Sequence, residues 1–296
     1  MVQVCLNGAR TAADSPAVPL SPAALARSAA EAVAAGATDL HVHPKTPCGR
    51  DTLAPDAVAA TLEAIRERVD VPVGVTTGAW AEDGPTTRVD RVRRWTVLPD
   101  HASVNWHEPG AEELAAALLD RGVGVEAGIW SGTDGAARFA ASPLARGCLV
   151  DQAGSGSGVR CRTSQGGGGS RCGASGTDDN AARCGAGRRE PGLIDKTPPG
   201  VLRVLAEVTD PDPATAVRSA HALLADLAAI PHGRPVLLHG EEASTWPVLA
   251  LAVRLGHPTR IGLEDTLVLP DGRRAASNAE LVTEALRRRG RAQRSS

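Results

Sequence analysis

The 296-residue chain contains no tyrosine, one phenylalanine and one methionine. So few aromatics argue against a stacking surface of the kind that single-stranded nucleic acid needs. The formal net charge is only -2, which gives no bulk electrostatic reason to expect nucleic acid or an anionic membrane as a partner. No apolar run approaches the roughly 20 residues that span a bilayer. The short run at 2–6 passes straight into Asn7-Gly8, unlike a signal peptide. Six cysteines are present, yet none forms a CxxC pair. That spacing fits no zinc finger, and without a signal peptide a disulfide framework is not expected. The chain reads as a soluble cytoplasmic protein with free thiols.

What is present is an alternation of two textures. Short β-like runs lie at 2–8, 39–44, 71–78, 101–107, 124–130, 201–208, 234–240 and 259–265. Each is nearly continuous in Val, Leu or Ile, as expected of strands buried on both faces in a parallel sheet. Alanine-rich helical runs separate them, at Asp56–Arg68, Ala111–Leu119, Pro213–Ala229, Thr245–Leu255 and Asn278–Arg289. Another opens at Ser21-Pro22, an N-cap followed by proline at the first helical position, and Gly36 stops it. Weaker helical patterns occupy 86–96 and 133–142. Eight such units, with ample length for one large core, predict a single-domain (β/α)8 TIM barrel over 1–296.

One segment departs from the rhythm. Residues 151–198 contain SGSG, GGGG and three cysteines, with almost no apolar periodicity. Such composition cannot bury enough surface to offset its ordering entropy, so it reads as a disordered insertion. It falls between the fifth helix and the sixth strand. Helix-to-strand loops lie on the barrel face opposite the active site.

Polar residues gather at the C-terminal ends of the strands, where barrel active sites are built. They are Asn7 and Arg10, His41 and His43, Thr76 and Thr77, Ser103, Asn105 and His107, Glu126, Glu207, His239, and Glu264 with Asp265. Residues i and i+2 of a strand face the same side. His41 and His43 can therefore grip one ion, and Glu264 at the end of strand eight can join them, since closure brings strand eight beside strand one. Two imidazoles and a carboxylate with an open position suit zinc. Arg260 can hold a carboxylate or steer Asp265.

Several stretches resemble the β-keto acid cleavage enzymes. They are NGAR at 7–10, HVHPKTPCGRDTL at 41–53, TTGAW at 76–80, SVNWHEPG at 103–110, GVEAGIW at 124–130, LLHGEE at 237–242 and RIGLEDTLVLPDG at 260–272. The resemblance implies a zinc-dependent barrel in which a 3-keto acid and acetyl-CoA give acetoacetate and a new acyl-CoA. It implies zinc on His41, His43 and Glu264. Asp265 becomes the catalytic acid/base, working with Arg260, and Thr76, Gly78 and Ser103 become substrate-binding positions. Asn105 and Glu126 join that set by position alone. A homo-oligomer is also implied. Arg10 stands where the amino-keto-acid-cleaving enzyme of this family has a glutamate that receives an ammonium. An arginine repels an ammonium, so the expected substrate has a neutral or anionic far end. The alternatives are a zinc-dependent TIM-barrel hydrolase, which would need more histidines on the middle strands, and a catalytically inactive binding barrel.

Overall fold

The structure, a computed structural model, describes residues 1–146 and 200–294. The insertion expected over 151–198 lies outside the described residues. Eight strands run parallel: β1 (Val2–Cys5), β2 (Asp39–Val42), β3 (Val73–Thr76), β4 (His101–Asn105), β5 (Gly124–Trp130), β6 (Val201–Val208), β7 (Val236–Gly240) and β8 (Thr259–Ile261). Their order is β7-β6-β5-β4-β3-β2-β1-β8. The ends of that sheet meet. Leu238 N–H donates to the Pro258 carbonyl at 3.0 Å, and Thr259 Oγ1 donates to the Leu238 carbonyl at 2.8 Å. The result is a (β/α)8 TIM barrel.

Helices α1 (Pro22–Ala34), α2 (Pro55–Arg66), α3 (Pro85–Arg93), α4 (Ala111–Asp120), α5 (Gly135–Ala141), α6 (Pro213–Ala228), α7 (Thr245–Leu255) and α8 (Asn278–Arg294) surround it. Ser21 Oγ accepts from Ala24 N–H, the cap expected from the Ser-Pro pair. Gly256 ends α7 in the left-handed region at φ 76°.

The strands alternate, so the barrel has two cores of different character. Outward residues such as Val4, Leu40, Val75 and Val104 are fully buried against the helices, each contributing about 1.5–3 kcal/mol. The inward residues are mostly polar, where branched apolar side chains usually fill such barrels. Hydrogen bonds between opposite strands locate them. Gln3 on β1 donates to Glu126 on β5 at 3.0 Å. Arg203 on β6 donates across the barrel to Asp39 on β2 at 2.9 Å, and to Glu126 on the adjacent strand at 2.5 Å.

His101 closes this floor. Its Nε2 bonds Asp39 Oδ1 at 3.1 Å. Its Nδ1 lies 3.1 Å from Glu126 Oε2, an ion-pair contact outside hydrogen-bond geometry. Burial alone would lower the His101 pKa. The Glu126 and Asp39 charges outweigh it and hold the imidazole up to about 10. Two cations then face two anions, the condition under which buried charge is tolerated. The ring needs space on β3: a Cβ on Gly74 would stand 2.1 Å from His101 Cε1.

Candidate active site

The metal-ligand candidates are built from the inward face of β2 and the turn after β8. His41 lies on β2 and His43 just beyond it. Asn7, following β1, fixes the second imidazole through its backbone. Its Nδ2 donates to the His43 carbonyl and its Oδ1 accepts the His43 N–H, both at 2.9 Å. Glu264 rides a tight turn in which Asp265 and Thr266 N–H both donate to the Gly262 carbonyl. Gly8, at φ 55°, makes room for it, because a Cβ there would stand 2.5 Å from Glu264 Cγ.

These three side chains converge. His41 Nε2 is 3.8 Å from Glu264 Oε2, and His43 Nε2 is 3.5 Å from Glu264 Oε1. Donors each ~2.1 Å from one tetrahedral ion stand about 3.4 Å apart. The gaps are too wide for good hydrogen bonds and near what an ion requires. Glu264 Oε2 is buried with no hydrogen-bond partner. Among the described residues, His41, His43 and Glu264 form the one such group of three. The donor set fits a divalent transition metal.

Burial and surrounding charges set the protonation of these candidate ligands. Burial pushes the His41 pKa down to about 4, so its imidazole is neutral and able to ligate. Burial would lower His43 also, but the Glu264 charge and the Asp51 hydrogen bond raise it to about 9. Ligation therefore requires release of that proton. Asp51 accepts from His43 Nδ1 at 2.9 Å and from Trp80 Nε1 at 2.8 Å. Lys45 Nζ reaches Asp51 Oδ1 at 2.5 Å. A carboxylate behind a ligating histidine fixes its ring and raises its basicity.

Arg260 joins the ligands to Asp265. Its Nη2 donates to Glu264 Oε1 at 3.0 Å, and its Nε to Asp265 Oδ1 at 3.0 Å. Burial raises the Asp265 pKa to about 7 even though Arg260 pulls it down. Asp265 is wholly buried behind Arg260, with Oδ2 unpartnered.

A cavity of about 390 Å³ opens above the cluster, lined by His41, His43, Glu264 and Arg260 and also by Arg10, Thr76, Ser103 and Asn105. Gly78 stands outside it and makes room for the Trp80 ring, which a Cβ would approach to 2.3 Å. Glu126 lies in the floor described above, one layer below. Arg10 Nη2 is held by Glu242 at 2.6 Å, so its charge is matched at the rim. Trp80, Trp130, Glu207 and Glu241 also line the cavity. Trp95 and Trp106 pack in the core.

Sequence reasoning gave no role to Asn7, Asp51 or Glu241. Asp51 had one available signal: an acid within the HVHPKTPCGRD stretch, eight residues after His43, in a loop short enough to return to the strand end.

The profile of the beta-keto acid cleavage enzyme family (BKACE) matches residues 1–128 and 188–295. No curated protein matches the chain by sequence. Among solved structures, the apo structure of ObcA is similar with a TM-score of 0.62 at 15% identity, covering 95% of this chain and 63% of ObcA. A ternary complex of ObcA with a C4-CoA adduct and oxalate gives a TM-score of 0.59 at 15% identity, covering 95% and 65%. The chain thus spans less than two thirds of ObcA, and at this identity the likeness is one of fold.

Proposed function

This chain belongs to the beta-keto acid cleavage enzyme family, and from that premise we propose that it converts a 3-keto acid and acetyl-CoA into acetoacetate and a new acyl-CoA, using zinc. The observation that carries the proposal is the convergence of His41, His43 and Glu264 beneath a cavity that Arg260 also lines. ObcA, similar in fold, has been solved with a C4-CoA adduct and oxalate and with oxaloacetate. That supports a CoA thioester and a keto acid as ligands here.

In this reading His41, His43 and Glu264 hold the zinc. When bound, zinc supplies Lewis-acid polarisation of a keto oxygen. The remaining work falls to the chain. Arg260 presents a guanidinium to substrate carboxylate or developing enolate charge, and Asp265 and Glu264 fix its orientation. Asp265 is the acid/base, holding its proton at the unpartnered Oδ2. Thr76, Ser103 and Asn105 position the substrate from β3 and β4. Gly78 serves indirectly, by seating Trp80. Glu126 acts from below, through His101 and Arg203.

Arg10 disfavours a cation at the rim, so the proposed substrate has a neutral or anionic far end. Its pairing with Glu242 weights the choice toward neutral. The test is acetoacetate release from acetyl-CoA and a panel of 3-keto acids with neutral, anionic and cationic chains. Neutral and anionic members should both turn over better than the cationic one. A clear preference for the cationic member would overturn the charge assignment, and no release from any member would overturn the reaction.

A further inference from the structure

Two residues of the cavity wall each carry a buried polar atom with no hydrogen-bond partner, and the two atoms complement each other chemically. Trp130, the last residue of β5, is register-paired with Glu207 on β6. Neighbouring residues at one register of parallel strands face the same side, and both line the cavity. Trp130 Nε1 is a buried donor without an acceptor, and Glu207 Oε1 a buried acceptor without a donor. Glu207 is only 4% exposed. Its other oxygen is turned toward His239, 3.5 Å away. Leu205, two residues earlier on β6, adds an apolar surface beside the pair.

We propose that Trp130 and Glu207 are specificity-determining residues that bind a hydroxyl group on the acyl chain of the 3-keto acid. The inference rests on the cleavage reading above and names the substrate class within it. A hydroxyl both accepts and donates, so it satisfies Nε1–H and the carboxyl oxygen together. An ammonium only donates, which leaves the indole N–H unpaired. A carboxylate only accepts, which leaves the Glu207 Oε1 acceptor unpaired. A plain alkyl chain buries both atoms unpaired, an outcome that sites built for a hydroxyl reject. The geometry suits the reaction. β5 and β6 lie across the barrel from β1 and β2, so a keto group near His41 and His43 sends its chain toward Trp130 and Glu207. Glu241, whose carboxyl approaches that of Glu207, reinforces the polarity there. Burial first, and Glu241 second, raise the Glu207 pKa.

The test compares 3-oxohexanoates that carry a hydroxyl, a hydrogen or an ammonium at C5 or C6. Binding to metal-loaded protein without acetyl-CoA is measured by calorimetry, and acetoacetate release with acetyl-CoA in parallel. At least one hydroxy acid should bind and react about 10- to 100-fold better than its unsubstituted partner. Trp130→Phe keeps the ring and removes the donor; Glu207→Met keeps the length and removes the acceptor. In each variant the preference should shrink to within about threefold, whatever the absolute rate. Equal binding of hydroxy and alkyl acids by the parent protein would overturn the proposal, as would a stronger preference for the ammonium. Tighter binding of the hydroxy acid without acetoacetate release would uphold it while overturning the cleavage reading.

Discussion

His43 has both ring nitrogens committed, Nε2 toward Glu264 and Nδ1 to Asp51. In the proposed site Asp51 therefore stands behind a metal ligand, which it orients. Asp51→Asn should weaken metal affinity about 10- to 100-fold, read by competition against a chromophoric chelator. Asp56→Asn, exposed on α2, should leave it unchanged. His101 gives a second prediction, about pH. Its folded pKa is near 10 against an ordinary 6.5. Its stabilising contribution is full below pH 6.5 and is lost as pH rises toward 10. The melting-temperature advantage of the parent over His101→Gln should fall steadily across that window. An advantage that grew with pH would contradict the protonated floor.

The elements succeed or fail on close approaches. β3 can pass His101 only because residue 74 lacks a side chain. Gly74→Ala should lower stability by about 1–3 kcal/mol through overpacking, measured by denaturant unfolding. The strands themselves were legible, since runs of Val, Leu and Ile between alanine-rich helices leave few other folds. The HxH pair was legible too, because period two puts both imidazoles on one face. Depth was not. Glu126 and Ser103 are register partners, yet Ser103 lines the cavity and Glu126 is tied into the floor by Gln3, His101 and Arg203. Alternation tells inside from outside but not which layer a long side chain joins. Asp51 was hidden for another reason: the 45–51 loop folds back through a Lys45–Asp51 bridge that no periodicity announces. The Arg10–Glu242 pair joins residues 232 positions apart, beyond any local signal.

At the scale of the molecule, the barrel separates chemistry from connection. The described chain leaves at Arg146 and returns at Gly200, just before the first residue of β6, at the end away from the cavity. Replacing 151–198 with a short Gly-Ser linker should leave acetoacetate release within about twofold. No helix among the described residues is long and apolar enough to cross a membrane. The proposed chemistry depends on the ion. The measurement that tests it most directly is a zinc titration of chelator-stripped protein, following melting temperature and acetoacetate release together. The account predicts that both rise and saturate at one zinc per chain, because the metal binds the folded site alone. It also predicts that Glu264→Gln abolishes both responses. Full activity in stripped protein, or saturation that Glu264→Gln does not alter, would contradict it.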